Sequence, residues 1–440
     1  MLYPDYSSMQ LLTGISIIFF ILLLWHNFVN QNILYGFRNF MLGSIGYLAA
    51  SVISINPAAY FSSYMRESQT INITYLILIA TNLALIASQL GFYYAARTTV
   101  KKRLIVEYDN KKSLGVAVLI IAIFSFILIH NSSGLVLFQL TGSVYGTDDT
   151  HTISINISSV YLNLTCMYLM FYVFKYKTDA LSSIKNPLWV YLLVLFVVLS
   201  NTLIGFRQNS LSLLLSLLMF YGIYETGHQR LKVKHLLILI ALFLFAQFVG
   251  FYRTVSLTTG GFWQALQTLF QVEAGVVSFQ QGTLNDLAAT FSGVIYLLQN
   301  HVLSPLYGLS YLDWIPRTLP QFMYPGRPQD LAWVFVNSGY QSGGGFFELA
   351  EAYYNFGLLG CFLIPFILSF LLGYIYKRLI VNKYSTIDFF MFFAIMASIL
   401  RGGWYQSFAW YKSWIAGLCL YVFICILANF KWSYRIKENK

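Results

Sequence analysis

Apolar runs of about eighteen residues or more recur along this chain, and each is long enough to cross a hydrocarbon core about 30 Å thick as a helix. Backbone N–H and C=O groups in lipid must be satisfied internally, so such runs are helices. Only 10% of the residues are charged, against about 25% in soluble domains. The expected fold is all-α: a polytopic integral membrane protein with about 11 transmembrane helices and one large external loop. The expected spans are 9–29, 40–61, 71–96, 113–131, 154–174, 187–205, 209–226, 235–252, 346–376, 387–408 and 410–430. The whole of 1–440 reads as a single transmembrane domain, with 253–345 as a large external loop within it. The first run follows MLYPDYSS, which has no basic segment and no small-residue cleavage site, so a retained span is expected there. Cys166, Cys361, Cys419 and Cys425 all fall inside apolar runs and read as small buried hydrophobes.

Basic residues set the orientation. Arg97, Lys101, Lys102, Arg103, Lys111 and Lys112 crowd one connection; Lys175, Lys177 and Lys185 another. Arg230, Lys232 and Lys234 follow, then Lys377, Arg378 and Lys383, then the basic tail from Lys431 to Lys440. Alternating spans put these groups, together with Arg38, on one side, expected to be the cytoplasm. The net charge of +11 is therefore mostly a topology signal. The basic runs are short and lack a binding module, which argues against nucleic acid.

The remaining basic residues are Arg66, Arg207, Arg253, Arg317, Arg327, Arg401 and Lys412, on the side where positive charge is disfavoured. Arg207 marks the tip of a short hairpin, and Arg253 ends a span. Twelve uncharged residues separate Asp388 from Arg401, too few to cross lipid at about 1.5 Å per residue. The span is therefore expected to run on through RGGWYQSF and to hold Arg401 below the outer surface. An ionisable residue at that depth usually faces a polar cavity. The stretch DWIPRTLPQFMYPGRPQD sets Arg317 and Arg327 among four prolines, which stiffen the backbone. The segment after Arg253 also holds LAATFSGVIYLLQNHVL, expected as a short helix along or dipping into the interface.

GGGFFELAEAYYNFGLLG, residues 343–360, opens an apolar run. Its helix is expected to begin near Phe346 at the outer surface and to descend. Glu348, Glu351 and Asn355 fall at i, i+3 and i+7 and share one face, flanked by aromatic residues that include Tyr353. Arginines without a His, Cys or Asp cluster suit a phosphate or diphosphate bound bidentately without metal. A carboxylate beside them suits proton transfer from a hydroxyl.

GFR at 205–207, IPRTLPQFMYPGRP at 315–328 and the E-x-Y-x-N-F-G segment at 351–357 resemble the oligosaccharide repeat-unit polymerases, the Wzy-type O-antigen polymerases of bacterial inner membranes. The resemblance implies a periplasmic-face glycosyltransferase with no cofactor. It implies transfer of a glycan from undecaprenyl diphosphate onto a lipid-linked oligosaccharide repeat unit, with inversion. It casts Glu351, then Glu348, as the catalytic base. It casts Arg207, Arg253, Arg317, Arg327 and Arg401 as diphosphate-binding residues, with Asn355 and Tyr353 beside them. The partners implied are the lipid-linked oligosaccharide, the bilayer, a chain-length regulator and a flippase. Two other readings stay open: an O-antigen ligase using the same donor, and a polysaccharide flippase or transporter.

Overall fold

The computed structural model describes residues 6–55, 67–101, 110–131, 149–176, 188–203, 207–226, 283–318, 324–326, 328, 331, 346–383, 385–404 and 406–429. These residues are mostly helical, with no strand among them. The first seven helices are α1 (Tyr6–His26), α2 (Ile33–Ile55), α3 (Glu67–Arg97), α4 (Asn110–Asn131), α5 (Asp149–Tyr176), α6 (Leu188–Leu203) and α7 (Arg207–Tyr221). After them come α8 (Thr283–Gln299), the short α9 (Leu309–Leu312) and α10 (Trp314–Thr318), and the long α11 (Glu348–Val381). The last three are α12 (Thr386–Met396), α13 (Ile399–Trp404) and α14 (Phe408–Asn429).

Among the described residues, four helical stretches are long and apolar enough to cross a membrane: Ser7–Val29, Gln69–Arg97, Glu348–Val381 and Phe408–Leu427. Six further apolar helices are shorter. The span expected over 235–252 lies outside the described residues. On α1, Leu11, Ile15, Ile18, Leu22 and Trp25 are exposed, an outward apolar face of the kind that lipid covers.

The core pairs α3 with α11 in parallel. Ser369 Oγ donates to Ser88 Oγ at 3.0 Å, and further along Lys377 Nζ donates to the Ala96 and Thr98 carbonyls at 2.6 and 2.7 Å. Gly91 lets the backbones meet: a Cβ there would lie 2.5 Å from the Phe366 carbonyl oxygen. Small residues are favoured at such crossings, because helices in lipid associate through close packing. α2 runs antiparallel to α3, with Tyr35 stacked on Phe92 at 4.1 Å and Tyr47 Oη donating to Asn82 Oδ1 at 2.7 Å. α8 packs on α2, α3 and α11, with Phe291, Val294 and Ile295 fully buried. Part of the segment expected as an external loop is thus built into the bundle.

Three expectations are corrected. α2 begins at Ile33, so Arg38 lies inside a helix and not in a connecting loop. The span expected over 387–408 is interrupted at Ala397 and Ser398, between α12 and α13. The third correction concerns α11, which is not one continuous descending helix. Gly357 has φ 61 and ψ −145 and breaks it in two. In a straight helix residues 349 and 361 stand roughly 18 Å apart, yet Cys361 Sγ lies 3.7 Å from the Leu349 carbonyl oxygen. The 348–356 half therefore folds back beside the start of the 358–381 half. Gly357 is the tip of a helical hairpin, and Glu348 lies down inside the bundle. The φ/ψ region of Gly357 is essentially reserved for glycine, and an added Cβ would meet nothing within 4 Å. Gly357→Ala is expected to cost roughly 1–3 kcal/mol through backbone strain alone, read as a lowered melting temperature of the purified protein.

Candidate functional site

From Lys377 to Gly357 the chain climbs twenty residues, about 30 Å of helix. The hairpin tip thus stands about one hydrocarbon thickness away from the Arg97–Lys377 end. Six residues before the tip, on the returning half, is Glu351.

Glu351 is fully buried. Its Oε1 accepts a hydrogen bond from Ser310 Oγ at 3.0 Å. Asn355 Nδ2 donates to Ser310 Oγ and to the Glu351 carbonyl, both at 2.8 Å, and Asn355 Oδ1 accepts from the Gly308 amide at 2.9 Å. The amides of Leu306 and Tyr307 bond the Tyr354 and Asn355 carbonyls at 3.1 and 3.2 Å. Carbonyls at a helix end have no partner within the helix, and here residues 306–307 supply them. The i, i+3, i+7 spacing read from the sequence does bring Glu351 and Asn355 onto one face. The same contacts show what that face meets: the segment 306–318.

Glu351 Oε2 has no hydrogen-bond partner, nor have Trp314 Nε1, Tyr311 Oη and Ser407 Oγ, all of them buried atoms. Ser407 and the Trp314 indole border the carboxylate, though neither closes a hydrogen bond of standard geometry with it. Buried polar atoms are nearly always paired in native proteins, so a fully buried carboxylate with Ser310, Ser407 and the Trp314 indole gathered on it marks a polar site. Aromatic rings wall it. Tyr311 meets Trp314 edge-on at 5.2 Å and stacks with Phe356 at 6.5 Å, while Trp314 sits 5.8 Å from Tyr411.

Arg317 joins this group. Its side chain is buried, donates from Nη2 to Gln406 Oε1 at 3.3 Å and stands over the Phe408 ring at 4.7 Å. Gln406 in turn donates its amide to the Arg401 carbonyl at 3.1 Å. Arg401 itself is half-buried on α13. Beside it, Gly402 and Gly403 serve close packing: a Cβ would fall inside the Trp410 ring at Gly402 and 1.9 Å from Met41 Cε at Gly403. The segment carrying Arg317 has reversed polarity. Ser310 and Arg317 point inward, while Leu309, Leu312 and Ile315 are 56–65% exposed.

Glu348, one turn deeper, is occupied. Both its oxygens receive the Arg38 guanidinium, at 2.6 Å from Nη1 and 2.5 Å from Nη2. Arg38 Nε donates to Ser369 Oγ at 3.2 Å, and the guanidinium lies 4.7 Å from the Trp410 ring centroid. All of this is fully buried at about mid-height of the bundle, since Ser369 is eight residues from Lys377. By span alternation Arg38 falls on the side of the basic connections, but its side chain is fully buried. The one signal available was that a carboxylate deep in an apolar bundle requires a cation.

Tyr353 projects from the other side of its helix, as an i+2 residue does, and packs half-buried against the apolar core. Arg207 opens α7, and its side chain lies outside the described part, as do Arg253 and Arg327 altogether. Just past Arg207 a buried polar ring ties three helices. Ser159 donates to Asn201 at 2.7 Å, Asn201 to Asn163 at 3.1 Å, Asn163 to the Asn209 carbonyl at 3.0 Å, and Asn209 back to Ser159 at 2.9 Å. That ring fixes the start of α7 against α5 and α6. No family model, curated protein or solved structure matches this chain.

Proposed function

We propose that this chain is a membrane glycosyltransferase that polymerises lipid-diphosphate-linked oligosaccharides, acting at the membrane face opposite the basic connections. The observation that carries this reading is the fully buried Glu351, with Arg317 held on Gln406 next to the Ser407 that borders the carboxylate, under a segment that turns its apolar side outward. A substrate with a prenyl tail in the bilayer, an anionic diphosphate and a neutral sugar needs these three surfaces together. The basic connections would then face the cytoplasm, and the site the periplasm of a bacterial inner membrane.

In this mechanism a hydroxyl of the acceptor repeat unit gives its proton to Glu351 as its oxygen attacks the anomeric carbon of the donor. The C–O bond to the diphosphate breaks, and undecaprenyl diphosphate leaves with the bonding pair. Arg317, with Arg401 nearby and Arg207, Arg253 and Arg327 from other segments, neutralises that charge as it develops. Because Glu351 is fully buried, the 306–318 cover must shift for a substrate to reach it.

Arg317→Ala is expected to lower turnover by about 10²–10³-fold, the usual cost of losing one donor to a developing anion. Arg317→Lys recovers little, since an ammonium cannot reproduce a planar bidentate contact. Purified protein given a lipid-linked repeat unit tests the whole reading: polymer ladders support it, and an unchanged repeat unit refutes it.

A ligase using the same donor shares every feature above and differs in its acceptor, a lipid core. A transport reading is favoured by one observation, the Arg38–Glu348 pair at mid-height, because intramembrane ion pairs often line solute or proton paths. Deleting the gene separates the three. Single repeat units on the surface without long chains mark a polymerase, loss of all repeat units a ligase or flippase, and an uptake defect a transporter.

A further inference from the structure

α9 and α10 run on as one short helical stretch. The Asp313 amide donates to the Leu309 carbonyl at 2.9 Å and the Arg317 amide to the Asp313 carbonyl at 3.1 Å, and Asp313 between them is itself helical, with φ −63 and ψ −14. Leu309, Leu312 and Ile315 therefore share one arc of the stretch, and Ser310 and Arg317 fall on the opposite arc. The three aliphatic side chains are exposed and the two polar ones buried. A helix that faces water shows the reverse pattern. One flank of the stretch leans on the hairpin, through Tyr311 stacked with Phe356 at 6.5 Å. The other leans on the first turn of α14, through Trp314 5.8 Å from Tyr411 and Arg317 4.7 Å over Phe408. The stretch closes the space between the hairpin and α14. Its height sets it beside the bundle and not on top. Ser310 Oγ lies 3.0 Å from Glu351 Oε1, and Glu351 is six residues before Gly357, about 9 Å of helix below the tip. Leu363, six residues after Gly357, stands at the same level; it and Leu359 are exposed on a helix long and apolar enough to cross a membrane. The outward face of 309–315 continues that surface. Amphipathic helices at a bilayer bury their apolar face to about 5–10 Å, which this depth matches.

We propose that Leu309, Leu312 and Ile315 form a lipid-contact surface: residues 306–318 lie against phospholipid acyl chains in the leaflet opposite the Arg97–Lys377 end, as the wall between the hairpin and α14. A single layer of chain then separates Glu351 from the bilayer. One consequence rests on the glycan-transfer reading and deepens it. The lipid-linked substrate reaches Glu351 sideways, through this wall from the bilayer, and not from the aqueous face.

Spin-label accessibility in the full-length protein, reconstituted in phosphatidylcholine vesicles, provides the test. The label is placed at Leu312→Cys in a Cys419→Ala, Cys425→Ala background, the other two cysteines being buried. Leu363→Cys supplies the lipid-facing reference at the same height, and Lys101→Cys, exposed at the basic end, the aqueous one. The label at 312 is expected to relax with molecular oxygen, which concentrates in lipid, and to be shielded from a water-soluble nickel chelate, as at 363 and opposite to 101. Ile315→Cys serves if Leu312→Cys fails to insert. Nickel access at 312 equal to that at 101 overturns the proposal, since the face then meets water. Shielding from both reagents, or dipolar broadening between labels, also overturns it, because protein or a second copy of this chain then covers the face. A lipid-exposed label in a protein that makes no polymer keeps the surface and removes the glycan-transfer reading. Polymer from a protein whose 312 label meets water keeps that reading and removes entry from the bilayer.

Discussion

Glu351→Gln is expected to cut glycan transfer by about 10²–10⁴-fold, the usual cost of losing a general base, with the fold intact. Glutamine keeps the length of the side chain and an oxygen to accept from Ser310, which now bonds Oε1 at 3.0 Å. It cannot take a proton from an attacking hydroxyl. Stability should not fall, because the substitution removes a charge that is fully buried with one oxygen unpaired, an arrangement that burial disfavours. Loss of activity without loss of stability is what a residue kept for chemistry shows. Polymer formation from a lipid-linked repeat unit, measured beside thermal melting, gives both quantities. A near-normal rate in Glu351→Gln removes the base assignment and leaves the arginines as the catalytic element.

The largest effect on folding is expected at Arg38. Arg38→Met strips Glu348 of its bidentate partner and leaves a carboxylate in a fully buried position. Breaking a buried pair in this way costs about 3–5 kcal/mol, whereas replacing both partners with apolar residues of similar volume is often neutral. Arg38→Met should therefore insert poorly or melt early, and the double variant Arg38→Met, Glu348→Met should recover. The double variant also distinguishes the two carboxylates. With Glu351 as the base, the recovered protein still makes polymer. A stable but inactive double variant would transfer the catalytic role to Glu348.

The sequence by itself determined that the chain is helical and built for lipid. That decision is local: a long apolar run with 10% charge overall has no other way to satisfy its backbone in a membrane. It also determined that Glu351 and Asn355 share a face, because 3.6 residues per turn fixes what neighbours what within one helix. The tertiary structure alone decided the rest. Arg38 and Glu348 are 310 residues apart, and no periodicity links them; only the packing of α2 against the hairpin makes a surface-like cation into the partner of a buried carboxylate. Gly357 carried no signal that a 34-residue helix would reverse there, because glycine is tolerated in a helix as well as in a turn. Trp314, Ser310 and Ser407 read in sequence as ordinary loop and helix-end residues. They become a site because three separate segments converge on one carboxylate, and that convergence is set by helix–helix contacts that sequence spacing does not encode.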